Sequence, residues 1–235
     1  MVFALATAMM LKSFDYLVVD GIVLGVHGDK GWIRPVREEV QIAFSEVGVG
    51  SSSATGTNLR VGVPKHATAV QTMDPVPAAV YFSGKAWQPK PVSVSMNRTR
   101  ALYAARKFAM TNETLLPVAY LRRVWDVDLD GDGRSEQIVE AISRPQADRD
   151  GFTDGDWQAV LLMSNRFGIE KTELLAFSRT EGEKCRVRAV ADLDGDGRTE
   201  VVVTRIKPGL HIAALYAYSK GRRQLLLESM QETAP

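Results

Sequence analysis

The sequence predicts a mainly β chain: two antiparallel units of four strands each, a β-rich N-terminal part, and one connecting α-helix. Three observations carry this. Short runs of β-branched and aromatic residues recur along the chain, punctuated by Gly, Pro, Asn and Asp. A ten-residue acidic stretch occurs twice, almost verbatim, each time between two such runs. Only one segment, 97–112, has apolar residues at helical spacing. At 235 residues the chain can bury one large or two modest cores, and its 45% apolar and 24% charged fractions are those of an ordinary folded protein.

Residues 1–11 are apolar with small-residue steps. They are expected to be either a signal segment lacking its basic start, with the first Lys only at position 12, or a short tail. No run approaches the roughly 18 apolar residues of a membrane-spanning helix. Strands are expected at 16–19, 22–26 and 32–35, with turns at Asp20-Gly21 and 28–31, and a fourth at 40–44. The Gly- and Ser-rich stretch 48–57 reads as a flexible loop, and lacks the residues of a phosphate cradle or a dinucleotide turn. Short strands follow at 59–63 and 79–82, among proline-punctuated loops. Trp32 and Trp87 could stack on carbohydrate, but core roles are the commoner fate of such residues. The helix 97–112 presents Ala101, Leu102, Ala105, Phe108 and Ala109 on one face, and is expected to pack across the joint between the two halves.

Strands in the second half are expected at 118–126, 137–142, 157–163 and 170–177, then at 186–191, 201–206, 211–218 and 223–228. The resulting division is 1–12, tail or signal segment; 13–96, N-terminal β-rich domain; 97–114, connecting helix; and 115–235, two repeats at 115–179 and 180–235.

The duplicated stretch lies between the first two strands of each unit. Asp128, Asp130, Asp132 and Glu136 recur as Asp192, Asp194, Asp196 and Glu200, 64 residues on. Four carboxylates in nine positions, with two glycines, make poor core and poor helix. Unliganded they repel, at about 1 kcal/mol per pair at 4 Å even in water. They make a good cage for a hard cation, because calcium takes six to eight oxygens at about 2.3–2.6 Å. The expected ligands are Asp128, Asp130, Asp132, the Arg134 carbonyl and Glu136, and likewise Asp192, Asp194, Asp196, the Arg198 carbonyl and Glu200. The plain alternative is an acidic, solvated Asp-Gly turn. An EF-hand is excluded: it needs flanking helices and a Glu at position twelve, where this chain has Val139 and Val203.

A hydrophobic strand, Asp-x-Asp-x-Asp-Gly-x-x-Glu and a second hydrophobic strand resemble the FG-GAP/VCBS repeat of integrin α-chain propellers and many secreted bacterial proteins. The resemblance covers roughly 115–230. It implies two propeller-blade-like units with two structural Ca2+ sites, and an extracellular or cell-surface location in a bacterium. The chain departs from the pattern in closing each loop with Glu136 or Glu200 where Asp is usual. Two blades cannot close a propeller of four to eight, so the N-terminal strands, the helix or a second subunit must cover the open faces. Oligomerisation through open sheet edges is one expectation.

Eight of the 28 acidic residues sit in the two loops, leaving 20 against 29 basic ones, an excess of +9 that the net charge of +1 conceals. That remainder is scattered, so an extracellular protein or polysaccharide partner is favoured over nucleic acid. Cys185 is the only cysteine, which excludes an internal disulfide and cysteine-built zinc sites. His27, His66 and His211 show no ligand spacing. The expected function is a calcium-binding module, secreted or cell-surface, that serves adhesion. The alternative is a hydrolase of extracellular polymers using acids such as Asp154 and Glu173, although no nucleophile elbow or zinc-protease helix is present. The acidic insertion with Asp148, Asp150, Asp154 and Asp156 reads as a solvated loop or a third, irregular metal site.

Overall fold

The computed structural model describes residues 15–20, 22–28, 31–33, 40–47, 52–62, 71–72, 80–82, 88–112, 114, 117–145, 155–179 and 182–232. Residues 1–12, His66, Trp87, Asp148, Asp150 and Asp154 lie outside them. Among the described residues the fold is mainly β, with antiparallel sheets and one helix.

The N-terminal sheet holds β1 (Asp15–Val19), β2 (Ile22–Gly28), β3 (Gly31–Ile33), β4 (Val40–Val47), β5 (Ser52–Gly62), β6 (Gln71–Thr72) and β7 (Val80–Phe82). Their order is β1-β7-β4-β5-β6-β2-β3, and β1 also pairs with β2. One expectation fails here. Ser52–Thr57, read as loop, is strand, with Ser52 opposite Val47 and Thr57 opposite Phe44. Ser and Thr carry little turn signal once a partner strand supplies the ladder, and Thr is β-branched.

Two five-stranded sheets follow. The first has the order β13-β12-β11-β10-β9 and the second β17-β16-β15-β14-β8. The first repeat supplies β10 (Tyr120–Val127), β11 (Glu136–Ile142), β12 (Gln158–Arg166) and β13 (Ile169–Ser178). The second supplies β14 (Lys184–Asp192), β15 (Glu200–Lys207), β16 (Leu210–Ser219) and β17 (Arg222–Glu232). The last hairpin of each repeat turns on two residues in the left-handed region: Phe167 (φ 54) with Gly168 (φ 78), and Lys220 (φ 53) with Gly221 (φ 77). Positive φ at both central residues matches the right-handed twist of the flanking strands.

The fifth strand of each sheet comes from one linker. β8 (Gln88–Pro89) sets Gln88 opposite Asp192, and β9 (Ser93–Val94) sets Ser93 opposite Asp126. The linker thus bridges the two sheets just where each strand enters its acidic loop. Pro89 fits such an edge because no ladder donor is required of it.

Packing follows the alternation of side chains along each strand. Trp125, Ile138, Val160 and Leu162 of the first sheet meet Val187, Val201, Val203 and Tyr216 of the second. The other face of the second sheet, with Val202, Ala213 and Leu215, packs on Leu17, Val19, Leu24 and Val80 of the N-terminal sheet. Both faces are therefore covered, which explains three successive buried valines, Val201 to Val203. The other face of the first sheet, with Val139, Trp157 and Leu161, packs on α1 (Arg98–Thr111) through Ala101, Ala105 and Ala109. The helix thus covers the first sheet's outer face, and no described residue of the N-terminal sheet belongs to that cluster. Small alanines let the helix lie close to that face.

Polar bonds also cross between the two repeats. Glu140 is 2% exposed and accepts the Val187 N–H at 2.8 Å, while Tyr216 donates its hydroxyl to the Leu175 carbonyl at 2.8 Å. Burial is the main influence on the Glu140 carboxyl and raises its pKa, against the lowering effects of the Val187 N–H and Arg122.

Candidate metal centre

Each acidic loop is folded by its own first carboxylate. Asp128 accepts the N–H of Gly131 at 2.8 Å, Asp132 at 3.1 Å and Gly133 at 2.9 Å. Asp192 accepts Gly195 at 2.7 Å and Gly197 at 2.9 Å. Both glycines of each loop lie in the left-handed region, at φ between 74° and 89°, which is where glycine is needed. The last carboxylate closes the loop: Glu136 accepts the Leu129 N–H at 3.0 Å and Glu200 the Leu193 N–H at 2.7 Å. Leu129 and Leu193 are themselves buried, so each loop is pinned to the core by its second residue.

This folding brings Asp128, Asp130 and Glu136 together, with one oxygen from each within 4.8 Å of the others; Asp192, Asp194 and Glu200 form the same group. These are positions one, three and nine. Asp132 and Asp196, at position five, stand at the exposed tip and accept the N–H of Arg134 at 2.9 Å and Arg198 at 2.8 Å. The Arg134 and Arg198 side chains are exposed.

The closing glutamates carry the electrostatic cost. Glu136 is 3% exposed and Glu200 2% exposed. Burial, followed by the charges of the neighbouring aspartates, pushes Glu136 up to about 7 and Glu200 up to about 8, although the loop N–H bonds pull the other way. Asp130 Oδ1 is buried without a hydrogen-bond partner. An acceptor with no donor, beside two further carboxylates, is a poor arrangement for a proton-free anion and a good one for a hard cation.

The surroundings of the two loops differ. Arg166, at the end of β12, pairs with Asp130 and lies 3.5 Å from Asp132. His27 of β2 lies 3.7 Å from Asp194, and Lys90 donates to the Gly197 carbonyl at 2.8 Å. Sequence spacing marks none of the three, because each arrives from a remote strand or linker. The loops also touch: Thr199 donates its N–H to the Leu129 carbonyl at 2.9 Å.

Other candidates resolve differently. Asp156 is buried against Arg144 at 2.8 Å and accepts the Ser143 hydroxyl, so its role is structural. Trp32 is half-buried, with its ring tilted against His27 at 5.2 Å. His211 lies 3.5 Å from Asp20, which also binds Arg188. Glu173 pairs with Lys171 at 3.0 Å. A cavity of about 380 Å³ between β13 and the strands of the second repeat is lined by Leu175, Phe177, Ile212 and Tyr216, with Glu228, Arg205 and Arg223 as its charged residues. Among the described residues no helix is long and apolar enough to cross a membrane. Comparison with protein-family models, curated proteins and solved structures gives no match.

Proposed function

We propose that the chain is a calcium-binding module whose two loops hold structural cations, that 115–235 is a pair of FG-GAP/VCBS-like repeats, and that the protein is secreted or displayed at a bacterial surface and serves adhesion. The observation that supports this best is the duplicated convergence of three carboxylates on one point. The donor set is all hard oxygen, which suits calcium or magnesium rather than a soft metal. The unpartnered Asp130 oxygen and the buried glutamates describe a charge deficit that a divalent ion fills.

Asp128, Asp130 and Glu136 would hold one ion, and Asp192, Asp194 and Glu200 the other. When bound, the ion supplies charge neutralisation. The protein's own part is to hold the loop backbone through Asp128 and Asp192 and to tie each loop to its strands through Glu136 and Glu200. Extracellular modules bind calcium at about 10⁻⁴–10⁻³ M, so millimolar calcium outside a cell would keep such loops filled. A ligand that binds only the folded state stabilises it by mass action, about 1.4 kcal/mol per site at tenfold excess over Kd. The test is thermal melting in millimolar calcium and in excess EGTA. A fall in Tm of several degrees in chelator is expected, and superimposable curves would remove the reading.

A further inference from the structure

We propose that Arg166 is a built-in counter-ion of the first loop and makes the two cation sites unequal, the loop at 192–200 being the tighter and the loop at 128–136 the weaker. This deepens the calcium reading and rests on it.

The repeats themselves show where the difference arises. In the first, Arg166 faces Ile169 across a turn made by Phe167 and Gly168. In the second, Ser219 faces Arg222 across a turn of the same conformation made by Lys220 and Gly221. Arg166 and Ser219 are therefore equivalent positions. One repeat places a guanidinium there and the other a hydroxyl.

Arg166 is also held in place. Its guanidinium lies over the Tyr218 ring at 6.0 Å, and its stem lies against the second repeat's turn, where a Cβ on Gly221 would come within 2.8 Å of Arg166 Cδ. From that seat it pairs with Asp130 through Oδ2 and approaches Asp132, with its own side chain 28% exposed and Asp130's 8%. A fixed, permanently charged guanidinium beside a mostly buried carboxylate is not easily screened.

Among the described residues the second loop has no equivalent. Asp194 accepts the Asp196 N–H at 3.1 Å through Oδ1, and its Oδ2 faces the His27 imidazole at 3.7 Å rather than a guanidinium. Arg198 approaches only Asp196, outside the converging group, and is 54% exposed; Lys90 holds a tip carbonyl rather than a carboxylate. A cation entering the first loop meets a permanent positive charge a few ångströms away, paired with one of the carboxylates that would hold it. Repulsion at that range corresponds to about tenfold or more in affinity.

The experiment is calorimetric calcium titration of the full chain as wild type, Arg166→Ser, Arg166→Lys, Asp130→Asn and Asp194→Asn. Two steps separated by about tenfold or more are expected in the wild type, with the tight step lost in Asp194→Asn and the weak one lost in Asp130→Asn. Arg166→Ser tightens the weak step and closes most of the gap, whereas Arg166→Lys keeps it. Two equal steps in the wild type, loss of the tight step in Asp130→Asn, or an unchanged gap in Arg166→Ser would overturn this proposal while leaving calcium binding intact. Absence of calcium heat in every protein would instead remove the cation reading itself. If Arg166→Ser does not fold, the order of the two sites in the aspartate variants still decides.

Discussion

Thr199, the penultimate residue of the second loop, donates its backbone N–H to the carbonyl of Leu129 in the first loop at 2.9 Å, and its hydroxyl lies 3.4 Å from the Asp128 carbonyl. The Leu129 N–H is in turn held by Glu136, and the next residue after Thr199 is Glu200. One short path therefore joins the closing carboxylates of both loops. Ordering one loop should favour order in the other. Removing the second site with Asp194→Asn is expected to weaken calcium binding at the first by a few-fold, roughly 1 kcal/mol of coupling. Titration of Asp194→Asn against the weak step of wild type measures it, and an unchanged weak step would mean independent sites.

Proton release provides a second check. Glu136 at about 7 and Glu200 at about 8 lie above their ordinary value of 4.5 because they are buried among anions. The folded, metal-free protein therefore binds more protons than the unfolded chain between about pH 4.5 and 8, so its stability falls as pH rises through that window. Calcium requires both groups ionised and should reverse the trend. Affinity is expected to drop on going from pH 8 to pH 6, with about one proton or slightly more released per chain at pH 7 and saturating calcium. Titrations in two buffers of different ionisation enthalpy count those protons; none released would contradict the buried-carboxylate picture.

Glu140 tests the joint between the repeats. Its carboxylate accepts the Val187 N–H and pairs with Arg122 at 3.3 Å while almost wholly buried. Glu140→Ala leaves that N–H unsatisfied and should cost about 2–4 kcal/mol. Glu140→Gln keeps an acceptor in the same place and should cost less than half as much. Chemical denaturation of both variants gives the comparison, and equal losses would show that only packing matters there.

Asp20 makes the matching test for the N-terminal sheet. It binds Arg188 of β14 through both carboxylate oxygens and lies at φ 48. Asn tolerates that backbone region, so Asp20→Asn removes the charge without adding strain. A loss of about 1–3 kcal/mol is expected, since the half-buried Arg188 loses its counter-ion. A loss confined to a few tenths of a kcal/mol would mean that this pair does not help hold the N-terminal sheet to the second repeat.

The strands of both repeats could be read from the sequence because local preference and burial agree there. Val201, Val202 and Val203 prefer extended backbone and also find a core on each side. The loops could be read because all of their folding groups lie within nine residues. The two-residue strands β8 and β9 could not, since Gln88-Pro89 has no strand preference and is extended only because β14 and β10 are already there. Ser52–Thr57 failed for the same reason. Nothing local marks Arg166, His27 or Lys90, because their meaning depends on remote partners: Arg166 lies 36 residues beyond Asp130, His27 reaches Asp194 from the other half of the chain, and Lys90 stands 107 residues before Gly197. Spacing within a motif cannot show such neighbours.

The most direct measurement is the calcium content of the purified chain after dialysis against calcium held well above the ~10⁻⁴–10⁻³ M range, beside its Asp130→Asn and Asp194→Asn variants. Two ions per chain in the parent and one fewer in each variant are the expected outcome. A parent that retains none, or variants that retain as many as the parent, would contradict the claim that these two loops are cation sites.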